Sequence, residues 1–94
     1  MTGEQLRAAR AMLKIEQAEL AQLSGVSLET IKRLERMNGF LSANTKTLAS
    51  LERALEQEGA VFIPENGGLS GVRLRRDPPP KIRTRRRRGE ASEL

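Results

Sequence analysis

Ser27, Leu28, Glu29, Lys32, Arg33 and Arg36 recur at three- and four-residue intervals, the spacing that lines side chains along one side of a helix. Their chemistry is recognition rather than reaction. One hydroxyl, one carboxylate, one ammonium and two guanidiniums are groups that match the edges of nucleic-acid bases and phosphate oxygens. The chain holds no histidine and no cysteine. The commonest general base and metal ligand are therefore missing, and thiolate sites and disulfides are excluded. The remaining carboxylates, lysines and hydroxyls form no nucleophile–base arrangement, metal cluster or phosphate-cradling glycine loop, and Gly67-Gly68 reads as a turn. The expectation is a protein that is not an enzyme and uses no metal or cofactor.

Side chains on one helical face need a scaffold to present them, and the flanking sequence supplies it. Thr2-Gly3-Glu4-Gln5 fits a capping box, in which Thr and Gln side chains satisfy free N–H groups at a helix start. Leu6, Ala9 and Leu13 then predict a first helix over 3–13. A second is predicted over 17–23 and a third over 28–36 with Ser27 as N-cap. Met37-Asn38-Gly39 is stop chemistry. Asn44 is suited to cap a fourth helix over 45–58, with Leu48, Leu51 and Leu55 inward and Gly59 as its stop. Between the second and third helices, Ala21 provides a small residue at a crossing point. Gly25 provides a residue comfortable at positive φ. Leu20, Val26, Ile31 and Leu34 form an apolar set behind the turn, which leaves the Ser27–Arg36 face outward, where it can enter a major groove. An ordinary helical hairpin would satisfy the apolar periodicity but not the joint placement of Gln17, Ala21, Gly25, Ile31 and Leu34.

The stretch Gln17-Ala18-Glu19-Leu20-Ala21, Gly25-Val26-Ser27, Ile31 and Leu34-Glu35 closely resembles the Cro and phage-repressor type, or XRE-like, helix-turn-helix family. The resemblance covers about residues 3–58 and is strongest over 13–36. It implies a helical bundle whose third helix reads double-stranded DNA, usually as a homodimer on a pseudo-palindromic operator. By that resemblance Ser27, Leu28, Glu29 and Arg33 occupy base-reading positions. Arg33 suits guanine, Leu28 a thymine methyl and Glu29 a cytosine amino group, unless Glu29 instead pairs with Arg33 or Lys32. Gln17 matches a position that holds a phosphate at a helix N-terminus. Lys32, Arg36, Asn38, Asn44 and Lys46 are further phosphate candidates. Arg10 and Glu35 match an ion pair tying the first helix to the third.

Two features depart from the family pattern. After Gly59 the period changes, and Ala60–Pro64 with Gly71–Leu74 around Glu65-Asn66-Gly67-Gly68 predicts a short β-hairpin. Its Val61, Phe62 and Ile63 are candidates for a dimer surface; alternatively, Phe62 and Val72 cover the core of their own chain. From Arg75 the chain turns Pro- and Arg-rich, which predicts a disordered basic tail. The expected organisation is thus a mainly α helix-turn-helix domain (1–58), a β-hairpin (59–76) and the tail (77–94). The net charge of +5 lies wholly in residues 75–94: residues 1–74 balance nine Lys/Arg against nine Glu. That neutrality keeps a second reading open, a protein-interaction module of antitoxin or anti-activator kind with a protein partner. No signal peptide pattern or apolar run of ~18 residues is present. The expected place is the cytoplasm, at the nucleoid, with no membrane contact.

Overall fold

The computed structural model describes residues 1–64 and 70–75. Four helices precede one antiparallel hairpin: α1 Gly3–Leu13, α2 Gln17–Ser24, α3 Leu28–Glu35, α4 Thr45–Glu58, β1 Ala60–Ile63 and β2 Gly71–Leu74. The mainly α architecture closed by a hairpin is as the sequence predicts. The turn at Glu65–Gly68 and the basic tail lie outside the described residues.

Caps set the boundaries. Thr2 Oγ1 accepts from Gln5 N at 3.0 Å while Gln5 Oε1 accepts from Thr2 N at 2.9 Å, a complete capping box. Ser27 and Asn44 cap α3 and α4 through Thr30 N and Thr47 N. Gly25 closes α2 at φ 76° with nothing within 4 Å of a would-be Cβ, so its backbone conformation alone calls for glycine. Two ends differ from expectation by a residue. α2 continues through Ser24, whose hydroxyl bonds back to Leu20 O at 2.7 Å. α3 stops at Glu35, leaving Arg36 as the C-cap. β1 ends before Pro64, which lacks the N–H to continue a ladder.

The core is a single aliphatic cluster in which Leu6, Leu20, Ile31, Leu34, Leu51 and Leu55 are fully buried. α2 packs on α3 and α4, and α1 packs on α3. The hairpin lies against α1 and α4. Its register pairs Ala60 with Leu74 and Phe62 with Val72, and these four residues turn to the helical core. Val61, Ile63 and Arg73 take the opposite face, as strand alternation requires. Of the three residues named for a dimer surface, Phe62 therefore packs within its own chain. Ile63 remains 39% exposed.

Candidate nucleic-acid interface

The two-helix unit stands on an anchored base. Ile31, Leu34 and Glu35 of α3 are buried, which turns the other side of an eight-residue helix outward. Ser27, Glu29, Lys32, Arg33 and Arg36 are exposed on that side and Leu28 is half-buried. Among the described residues Glu29 makes no ion pair with Lys32 or Arg33. The charged groups of this face are thus uncommitted and surround one half-buried leucine.

The opposite end of α3 is held by its last residue. Glu35 is 7% exposed and accepts from Arg10 through both oxygens, Nε to Oε2 at 2.7 Å and Nη2 to Oε1 at 3.0 Å. Arg10 also donates to Ile15 O at 2.9 Å. The bidentate pairing holds the guanidinium above its ordinary pKa, against the desolvation that opposes it. Gln17, the first residue of α2, donates through Nε2 to Glu35 Oε1 at 3.0 Å. One carboxylate therefore ties α1, α2 and α3 together. Glu16 makes no side-chain cap for α2, so the N–H groups beside Gln17 are not closed by it.

Around the loop after α3, Asn38 is exposed and its Oδ1 accepts from Arg7 Nη2 at 3.4 Å. Asn44 commits its Oδ1 to the cap of α4 at 2.7 Å. An open depression of about 330 Å³ separates the N-terminal ends of α3 and α4, with Ser27, Thr30, Asn44, Lys46, Thr47 and Ser50 among its walls. The fold thus brings Ser27 to the same surface as Asn44 and Lys46. Val61 and Ile63 belong to the hairpin instead.

Two residues of this frame, Arg7 and Glu4, carry tertiary bonds that the sequence does not announce, and a third, the capping-box Gln5, carries more than its cap. Arg7 donates to the carbonyls of Glu35 and Met37 at 2.5 and 3.2 Å, closing the end of α3. Glu4 accepts from Gly39 N at 2.9 Å, and that bond holds its carboxyl below the ordinary value. Gln5 reaches beyond its capping box to donate to Ile63 O and Gly71 O at 3.2 and 2.7 Å. The one available hint was spacing: Arg7 lies one turn before Arg10 and shares its side of α1.

A helix-turn-helix family model matches residues 6–59, more than half of the chain. The chain belongs to the helix-turn-helix family, of the Cro and phage-repressor (XRE-like) type, whose members are DNA-binding transcription regulators. No match was found among curated proteins. Among the described residues no helix is long and apolar enough to cross a membrane.

Proposed function

We propose that this protein is a sequence-specific regulator that binds a pseudo-palindromic operator as a homodimer, in the cytoplasm at the nucleoid, and is not an enzyme. The observation that carries the reading is the exposed, uncommitted face of α3, set on a helix whose buried face and last residue are both locked. Arg33 reads a base, bidentate to guanine, with Ser27, Leu28 and Glu29 completing the base contacts. Gln17, Lys32, Arg36, Asn38, Asn44 and Lys46 hold phosphates on either side. Phosphate contacts set orientation and base contacts set sequence. One recognition helix covers only about four to six base pairs, too few for selectivity in a genome, which is the argument for two half-sites. The outward hairpin face, Val61 and Ile63, is the dimer surface.

The test is selection of a motif from random duplexes, followed by titration of Arg33→Ala on it. The substitution should cost about 1–3 kcal/mol and relax preference at one base pair per half-site. Equal loss on every sequence would make Arg33 a phosphate contact, and failure to select any motif would reject sequence-specific binding. A protein-interaction module is the second reading, favoured by the neutral charge of residues 1–74 and by Phe40, which is 72% exposed. Binding of a protein partner by a chain that selects no duplex would support it.

A further inference from the structure

Arg7 is a cation of α1 whose guanidinium meets the C-terminal end of α3. Its guanidinium turns back into the protein: Nη1 engages the carbonyls of Glu35 and Met37, and Nη2 engages Asn38 Oδ1. An arginine has no acceptor, so the atom of Asn38 that meets it must be the amide oxygen. The Asn38 Nδ2 donor is then the end of the amide turned away from Arg7, on an exposed residue. The backbone on either side of Asn38 is pinned as well. Met37 O is held by Arg7, Gly39 N by Glu4, and Gly39 O by Gly3 N at 2.9 Å. Gly3 permits that approach because any Cβ there would lie 1.9 Å from Met37 O.

From this geometry we propose that Arg7 is a positioning residue for DNA binding, orienting the Asn38 amide so that its N–H donates to a backbone phosphate. The proposal rests on the DNA-binding reading above and adds to it a residue that touches no DNA. An amide free to rotate would present its oxygen to the phosphate for part of the time, and oxygen meeting phosphate is repulsive. Arg7 disfavours that alternative by engaging the oxygen at 3.4 Å. Its own charge is spent on protein acceptors, so the contact it prepares is a neutral hydrogen bond rather than an ion pair.

That distinction supplies the experiment. The full chain and its Arg7→Lys, Arg7→Ala, Asn38→Ala and Arg7→Ala/Asn38→Ala variants are titrated with the selected duplex across a salt series, and each is melted. Arg7→Ala and Asn38→Ala should each weaken binding by about three- to tenfold per half-site, the scale of one hydrogen bond. The double variant should be no weaker than the weaker single one. The salt slope and base preferences should stay as in the parent, because no phosphate charge is being neutralised by either residue. Arg7→Lys keeps the charge but loses the fork, so it should retain the melting temperature within a few degrees, roughly what loss of one exposed contact produces, while showing the binding loss. Should Arg7→Ala not fold, Arg7→Lys and Asn38→Ala carry the comparison. Additive losses, or Asn38→Ala binding like the parent, would overturn the proposal. A slope flattened by about 0.9 per contact would also overturn it, making Arg7 itself a phosphate ligand. A parent protein that selects no motif and binds no duplex would reject the DNA reading, whereas a binding parent with unaffected Arg7 variants rejects only this role.

Discussion

Glu35 is the residue on which the site's geometry converges, since Arg10 and Gln17 meet on its carboxylate and Arg7 on its carbonyl. A carboxylate at 7% exposure is tolerable only because three donors replace its water. Removing it strands the Arg10 guanidinium, which is 23% exposed and only partly able to recover solvent. Glu35→Ala should therefore destabilise the fold by about 3 kcal/mol, the lower end of the range for breaking a buried pair. Glu35→Gln should lose less, because the amide oxygen still accepts from Arg10. Urea denaturation of the two variants measures both. Equal midpoints for Glu35→Ala and the parent would show that the pair adds nothing to stability.

At the scale of elements, the hairpin is held to α1 by more than apolar contact. Gln5 completes the capping box with its oxygen and bonds the carbonyls of Ile63 and Gly71 with its nitrogen. Gln5→Glu separates the two jobs. A glutamate keeps the acceptor that the capping box needs, but it sets a negative charge against two carbonyl oxygens and deletes both donors. The expected loss is about 1–3 kcal/mol. It should appear first in the hairpin, whose amides should exchange hydrogen faster while those of α1 to α4 keep their protection. Uniform acceleration across the chain would mean that hairpin and helices open as one unit and that Gln5 is not their tie.

For the whole molecule, the proposed dimer limits which hairpin residues can face a partner. Strand alternation divides the proposed dimer residues between two faces, so only Val61 and Ile63 are available to a partner, and Phe62 belongs to the core. A charge at Phe62 would test folding rather than association. The informative variant is Val61→Asp combined with Ile63→Asp. Its new carboxylate at position 61 would stand opposite Arg73 across the ladder and gain a cross-strand partner. The variant should sediment as a folded monomer and lose most operator affinity, since each half-site then binds alone. A variant that keeps the parent's mass places the interface elsewhere, and a monomeric parent removes the dimer from the reading.

Periodicity and caps are local properties, and every element legible in this chain was legible through them. The capping box at Thr2 and Gln5, Ser27 and Asn44 before their helices, Gly25 at the turn and Pro64 after β1 each act through groups within a few residues. The outward face of α3 follows in the same way, because burying Ile31 and Leu34 obliges Ser27, Glu29, Lys32, Arg33 and Arg36 to face out. Tertiary structure alone decided which polar side chains would turn back into the protein. Arg7 and Glu4 look like ordinary solvated helix residues until the loop at 35–39 is packed against the start of α1. Gln5 looks like a cap and nothing more until the hairpin arrives 58 residues later. Phe62 and Ile63 are neighbours of similar hydropathy, and the ladder register decides which of them meets the core. Long flexible side chains carry little information about their own direction; that is set by acceptors distant in sequence, which exist at the right place only once the backbone has folded.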